Sequence, residues 1–140
     1  MKVFECFKTI EKIFEEKNIA EAQAQAREIA CYFAEIPYGD IFLRKDAPVK
    51  EGWEKAVSDR ISGKPVAYIL KTRNFYGYDF YVDENVLIPR FDTECVVQKA
   101  VYEIKQKGYE NILDMCCGSG CIGVTISKET GAKVLCAEIS

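Results

Sequence analysis

The chain has 140 residues, of which 49% are apolar and 29% are charged. This length and composition predict one or two small globular domains, and they exclude intrinsic disorder, low complexity and collagen-like sequence. No apolar run approaches the roughly 20 residues that a membrane-spanning helix needs, and the charged start of the chain does not resemble a secretion signal. We therefore expect a soluble, cytoplasmic protein without a membrane partner.

The charge, histidine and cysteine content exclude further classes of function. The net charge is -3, and the first 72 residues hold 12 basic and 12 acidic side chains, so neither half is strongly basic and direct binding of nucleic acid is not indicated. There is no histidine, which removes the usual zinc ligand and the histidine general base. Cys116, Cys117 and Cys121 are close enough in sequence to suggest a metal site. Buried or half-buried thiols are the simpler interpretation, and no metal is predicted.

Helical patterns dominate the chain up to about residue 72. Three groups of apolar residues recur at helical spacing and predict three amphipathic helices. The groups are Val3, Phe7, Ile10 and Phe14; then Ala22, Ala26, Ile29, Ala30 and Phe33; then Trp53, Val57 and Ile61. Residues 18–21 resemble a capping box that would open the second helix, and Pro37 limits it. A further short helical piece is expected over residues 41–43, and Gly63 would end the third helix. Together these elements predict a helical bundle.

Strand patterns begin after residue 72. Residues 74–82 are aromatic with a central glycine, which predicts a β-hairpin, and residues 86–89 are expected to be extended. Asp92 or Thr93 would then cap a helix that Gly108 ends.

The last third of the chain alternates strand and helix. A short buried strand is predicted over residues 111–115, a helix over residues 121–128 that Gly131 ends, and a second strand over residues 133–139. The order of strand, glycine-rich turn, helix and strand is the start of a doubly wound α/β domain.

The glycine-rich turn carries the clearest chemical signal. Between Gly118 and Gly120 the backbone can approach a ligand closely, and the helix that follows directs its free N–H groups to the same place. Glu138, at the end of the next strand, can accept both hydroxyls of a ribose. These residues predict a site for an adenosine-containing cofactor.

Two cofactors compete for this site. Gly118, Gly120 and Gly123 satisfy the G-x-G-x-x-G pattern of dinucleotide-binding folds, in which the helix N-terminus binds a pyrophosphate. Asp114, however, would repel a pyrophosphate and attract the ammonium group of an amino-acid moiety. The sign of this charge favours S-adenosylmethionine over NAD. The alternative to a cofactor site is a tight turn that binds no ligand and has two acidic residues near it by chance.

Four strings of the sequence occur in a characteristic succession, at residues 63–69, 75–77, 87–94 and 114–120. Together they resemble the release-factor glutamine methyltransferase family of the HemK type, and L-I-P-R-x-x-T-E at residues 87–94 is the specific one. The resemblance covers the chain from about residue 60. It implies methyl transfer from S-adenosylmethionine to the glutamine amide in the Gly-Gly-Gln loop of a peptide chain release factor.

The resemblance also implies an architecture and a set of cofactor-binding residues. The fold class is α plus α/β, with a helical substrate-docking domain (1–72), a β-hairpin linker (73–89) and the truncated start of a class I, Rossmann-like methyltransferase domain (90–140). The predicted cofactor-binding residues are Asp114, Cys116, Cys117, Gly118, Ser119, Gly120 and Glu138. Cys116 stands where the family usually has glycine, and Glu138 where aspartate is commoner. Arg90, Thr93 and Glu94 are either a helix cap with an interdomain ion pair or neighbours of the cofactor.

One family signature is missing. The catalytic string Asn-Pro-Pro-Tyr does not occur, because none of the four prolines is adjacent to another. We therefore assign no catalytic residue and expect this chain to be inactive by itself. Because two strands and their helices cannot cover both faces of a parallel sheet, exposed apolar surface and an open strand edge are expected. Their expected consequence is self-association or a poorly ordered C-terminal third of the chain. A non-catalytic module that binds a release factor, and a methyltransferase of nucleic-acid bases, are the alternative functions.

Overall fold

The computed structural model describes residues 1–139, which form two compact units; the first ends at Leu70 and the second begins at Lys71. The first unit holds helices α1 (Val3–Glu16), α2 (Ala22–Ala34), a 3-10 helix (Tyr38–Phe42), α3 (Trp53–Ile61) and α4 (Val66–Leu70). The second holds β1 (Thr72–Phe75), β2 (Tyr78–Tyr81), α5 (Thr93–Lys107), β3 (Asn111–Met115), α6 (Cys121–Thr130) and β4 (Lys133–Ala137). Within residues 1–139, no helix has the length and apolar character needed to cross a membrane.

The helices of the first unit surround one apolar core. All four residues that predicted α1 are buried, and they pack with Ile29 and Ala30 of α2. The three predicted helices and the short helical piece are confirmed. The structure adds α4, which begins directly after Pro65; proline is favoured there because the first helical N–H groups need no partner within the helix.

The predicted capping box at residues 18–21 is wrong. Asn18 has a left-handed backbone, with φ of 55°, and it ends α1 instead of opening α2. The N–H of Ile19 donates to the carbonyl of Phe14 at 2.9 Å, and the N–H of Asn18 donates to that of Glu15 at 3.0 Å. This is the Schellman arrangement. Asparagine serves both as an N-cap and as a left-handed residue, so its presence alone did not distinguish the two ends.

The β-hairpin of the second unit is confirmed. Its strands pair in antiparallel register from Thr72 with Tyr81 to Phe75 with Tyr78. The connecting residues Tyr76 and Gly77 have φ of 52° and 79°, as a two-residue type I′ turn requires. The hairpin shares a core with α5 and α6 through Phe75, Phe80, Val97, Val101, Ile104, Cys121, Ile126 and Ala132.

Strands β3 and β4 pair in parallel and α6 connects them. The expectation that β3 is buried is wrong: Leu113 is 56% exposed and Met115 is 64% exposed. The reason is that α6 covers one face of the pair, where Gly123 lies against Asp114 and Val134. Among residues 1–139, the opposite face has no comparable cover. The expected exposed apolar surface is therefore present, and self-association stays a prediction.

Candidate cofactor-binding site

The glycine loop lies between the end of β3 and the start of α6. Cys116, Gly118 and Gly120 all have left-handed backbones, with φ of 60°, 53° and 75°. The N–H of Gly120 donates to the carbonyl of Cys117 at 2.8 Å, which closes the turn. The loop thus reverses the chain in a few residues and leads it into α6.

The structure brings Glu138 and the glycine loop together. Glu138 follows the last residue of β4, and its Oε2 accepts a hydrogen bond from the N–H of Gly118 at 2.8 Å. Its Oε1 accepts one from the N–H of Ile139, also at 2.8 Å. Cys117 donates its N–H to the carbonyl of Ala137 at 3.2 Å, so the loop backbone follows the end of β4. Two groups that were predicted from separate parts of the sequence are therefore in direct contact.

Asp114 caps the helix that follows the loop. Its Oδ2 accepts a hydrogen bond from the N–H of Gly123, the third residue of α6, at 2.9 Å. A carboxylate is stabilised at a helix N-terminus because the unpaired N–H groups there carry partial positive charge. Asp114 is half-buried at this position, so its negative charge is fixed beside the loop.

Gly123 serves close packing. A Cβ at this position would lie 2.7 Å from Cys136 Sγ, 3.0 Å from Asp114 Oδ2 and 3.1 Å from Val134 Cγ1. The contact with Cys136 is closer than atoms approach a real Cβ, and the other two are tight. Glycine therefore allows α6 to rest on the strands in this position without displacing their side chains. The third glycine of the G-x-G-x-x-G pattern is thus explained by helix–strand contact.

Two of the thiols near the loop, those of Cys121 and Cys136, have a raised pKa. Burial raises the pKa of Cys121, against a hydrogen bond with Ser119 that acts in the opposite direction. Burial also raises the pKa of Cys136, and the nearby Cys117 and Asp114 raise it further. In the described part of the chain, no three histidine, cysteine, aspartate or glutamate side chains are grouped to hold a metal ion.

Glu94, from the string at residues 87–94, contacts the turn of the hairpin. Its Oε1 accepts a hydrogen bond from the N–H of Tyr76 at 2.9 Å. Asp92 occupies the N-cap position of α5 without a side-chain capping bond, and Arg90 is exposed. The contact of Glu94 thus joins residues 75–77 to residues 87–94: the first segment supplies the left-handed turn, and the second supplies the acceptor for its N–H group.

Comparison with known proteins defines the class of the first unit. Residues 5–70 match the family described as the PrmC N-terminal domain.

The curated proteins to which the chain is similar carry the name release factor glutamine methyltransferase. The chain is 49% identical to the one from Borreliella burgdorferi in a gapped alignment of 102 positions that covers 70% of this chain and 35% of the relative. It is 35% identical to the one from Chlorobaculum tepidum in a gapped alignment of 148 positions that covers 99% of this chain and 50% of the relative. The chain thus spans between a third and a half of the length of these relatives, and its resemblance to the N-terminal portion of the family is confirmed.

Proposed function

We propose that this chain supplies the substrate-docking and cofactor-binding parts of a release factor glutamine methyltransferase. The enzyme would transfer a methyl group from S-adenosylmethionine to the glutamine amide in the Gly-Gly-Gln loop of a peptide chain release factor. The names of the relatives support this proposal. In it, residues 1–72 dock the release factor, residues 73–89 are a linker, and residues 90–140 begin a class I, Rossmann-like methyltransferase domain.

The observation that carries the choice of cofactor is the hydrogen bond between Asp114 and Gly123. A dinucleotide would place its pyrophosphate at the N-terminus of α6, where N–H groups bind anions. Here a carboxylate already accepts one of those N–H groups. A second anion would meet repulsion from Asp114, whereas the ammonium group of S-adenosylmethionine would be attracted. The electrostatics therefore favour the methyl donor over NAD.

Each residue of the predicted site has a role in this proposal. The backbone from Cys116 to Gly120 would line the cofactor, with Gly118 and Gly120 allowing close approach. Glu138 would accept the ribose hydroxyls. A carboxylate offers roughly four acceptor sites, so its bonds to the N–H groups of Gly118 and Ile139 are compatible with this role. Bound S-adenosylmethionine would supply a methyl group on a positively charged sulfur.

Methyl transfer also requires that the glutamine amide of the release factor is held in the right orientation. The lone pair of an amide nitrogen is delocalised, so the nitrogen must be held in line with the methyl group to react. A positively charged donor needs no strong general base, and the lack of histidine is compatible with this mechanism. Residues that would hold the amide are not identified in this chain.

Calorimetric titration of S-adenosylmethionine into the chain, with NAD as the control ligand, tests the cofactor assignment. We expect S-adenosylmethionine to bind and NAD not to bind. Glu138→Ala should weaken it by roughly 10-fold to 100-fold, which corresponds to one or two hydrogen bonds to a charged group. Glu110→Ala is the matched control, since Glu110 lies just before β3, at the other end of that strand. Binding of NAD alone, or of neither ligand, would reject the assignment.

A second experiment addresses the missing Asn-Pro-Pro-Tyr string. We predict that the purified chain, given S-adenosylmethionine and a release factor, transfers no methyl group, because nothing assigned in the chain orients the glutamine amide. Mass spectrometry of the release factor measures the transfer. Methylation of the Gly-Gly-Gln glutamine would contradict the prediction and show that other residues orient the amide.

A further inference from the structure

Exposed apolar side chains are concentrated at one place in the first unit. The large apolar side chains that this unit exposes are those of Met1, Tyr32, Tyr38, Phe42, Leu43 and Ile61. Three of these six lie within residues 38–43, and Phe42 and Leu43 are 61% and 85% exposed. We call Tyr38, Phe42 and Leu43, together with Arg27, the aromatic patch. Single apolar residues are normal on a protein surface, whereas a group of them indicates a binding surface.

The 3-10 helix holds the patch in place. Ile41 is fully buried in the first core, and its neighbour Phe42 faces outward. The ring of Phe42 lies against that of Phe4, with 5.9 Å between the centroids, and Phe4 packs on the same core. The N–H of Leu43 donates to the carbonyl of Asp40 at 2.9 Å. Phe42 is therefore exposed and yet fixed, so a partner that binds it pays little ordering entropy.

Arg27 of α2 reaches the 3-10 helix and is ordered by two rings. Its Nε donates to the carbonyl of Tyr38 at 2.8 Å. The central carbon of its guanidinium group lies 4.3 Å from the centroid of the Tyr38 ring and 5.4 Å from that of Phe42, which are cation–π distances. Among residues 1–139, no carboxylate forms an ion pair with Arg27. An arginine held in one orientation without an acidic partner is suited to bind a carboxylate from another molecule.

The charge around the patch has a positive surplus. Both acids within residues 38–46 are paired inside the chain: Asp40 with Arg44 at 3.2 Å, and Asp46 with Lys2 at 2.7 Å. Arg27 and Lys45 have no such partner in the described part of the chain. This surplus lies on a chain whose net charge is -3. The patch therefore complements a partner segment that is acidic and carries an apolar side chain.

We propose that the aromatic patch is the surface through which the first unit docks an acidic segment of the release factor. Phe42 and Leu43 pack against an apolar side chain of that segment, and Arg27 binds a carboxylate beside it. Aromatic and arginine side chains are enriched at the centres of protein interfaces. A nucleic acid fits less well, because its binding requires several unpaired cations. The proposal rests on the proposed function, since it names the part of the first unit that contacts the release factor.

Titration of a purified peptide chain release factor into the full chain tests the patch. We expect Phe42→Ala and Arg27→Gln each to weaken binding by roughly 10-fold or more, as central interface residues do. Leu43→Glu keeps the test independent of folding, because Leu43 is 85% exposed. Its new carboxylate should repel an acidic partner and weaken binding as well.

Two variants outside the patch serve as matched controls. Tyr81→Ala matches Phe42→Ala, because Tyr81 is an aromatic residue of the second unit with a similar exposure of 64%. Lys12→Gln matches Arg27→Gln, because Lys12 is an exposed cation on α1. Both controls should bind the release factor like the unchanged chain. Added salt should weaken binding by the unchanged chain more than binding by Arg27→Gln, since screening acts on the ion pair that this variant lacks.

The outcomes separate the patch from the proposed function. Equal binding of the release factor by the unchanged chain and all three patch variants would overturn the patch and leave the proposed function in place. A release factor that does not bind the unchanged chain would reject the docking role of the first unit, and the patch with it. Analytical ultracentrifugation covers a third occupant: a dimer that is lost in Leu43→Glu, with release-factor binding unchanged, would show that a second copy of the chain covers the patch instead.

Discussion

Cys116 has a backbone conformation that cysteine rarely adopts. Its φ of 60° lies in the left-handed region, where a Cβ contacts the following carbonyl at a cost of roughly 1–2 kcal/mol. Glycine avoids this contact. Cys116 thus carries backbone strain that a glycine at the same position would not have.

We predict that Cys116→Gly raises the free energy of unfolding by about 1 kcal/mol, which is the strain relieved less the greater freedom of glycine in the unfolded chain. Urea denaturation followed by circular dichroism measures the change. Cys116→Ala is the control, because alanine keeps the Cβ and with it the strain. An equal gain in both variants would show that the cysteine thiol, and not the backbone, is unfavourable.

Glu11 is a buried acid of α1 with two hydrogen-bond donors. Lys8 donates to it at 2.6 Å and Gln23 at 2.9 Å. The hydrogen bond from Lys8 is the main cause that lowers the pKa of Glu11 below its usual value of 4.5. The ionised carboxylate thus stabilises the fold above the unfolded pKa, and this stabilisation is lost as the pH falls through the folded pKa.

We therefore predict that Glu11→Gln makes stability less dependent on pH below about pH 4.5, since the variant has no carboxylate to protonate. Thermal unfolding measured across the acidic range gives the comparison. Glu16→Gln, an exposed position on the same helix, should retain the wild-type slope. Identical slopes for all three proteins would mean that Glu11 does not contribute to acid sensitivity.

At the scale of elements, the position of α6 depends on one glycine. The strand side chains approach the Cα of Gly123 so closely that a methyl group would overlap Cys136 and crowd Asp114. Moving α6 away would relieve the overlap, but it would also stretch the hydrogen bond from Gly123 to Asp114. Both outcomes weaken the connection between the helix and the glycine loop.

Gly123→Ala should lower the free energy of unfolding by about 1–3 kcal/mol, the usual cost of overfilling a packed site. Calorimetric unfolding of the chain measures it. Gly39→Ala is the comparison, because Gly39 has no atom near the position of a Cβ and no left-handed backbone. That variant should be neutral or slightly stabilising. If both variants behave alike, the close contacts of Gly123 do not limit the fold.

At the scale of the whole molecule, each unit has its own apolar core. The first core holds residues between Val3 and Leu70, and the second holds residues between Phe75 and Ala132. Neither cluster of buried residues includes members of the other unit. The first core therefore has the packing that a small helical domain needs to be stable by itself.

We predict that residues 1–72 fold alone and unfold in one cooperative transition. Circular dichroism during heating measures this. In the same fragment, Phe14→Ala should cost about 3–5 kcal/mol because Phe14 is fully buried. Leu43→Ala should change little because Leu43 is 85% exposed. A fragment without a cooperative transition would show that the first core needs the rest of the chain.

The sequence by itself determined the features that depend on neighbouring residues. Apolar periodicity located α1, α2 and α3, boundary residues such as Gly108 located α5, and the aromatic run with its glycine located the hairpin. These patterns are local, because a helix or a tight turn is chosen by residues within a few positions of each other. The four strings likewise identified the family without any structural information.

Only the tertiary structure decided the features that depend on distant residues. It assigned Asn18 to the end of α1, joined Glu94 to the turn at Tyr76, and brought Glu138 onto the glycine loop. It also left Leu113 exposed, although its strand has a buried pattern in sequence. Hydrogen-bond partners and burial are set by what the folded chain brings near, and residues 18 to 20 positions apart in sequence carry no local signal that they will meet.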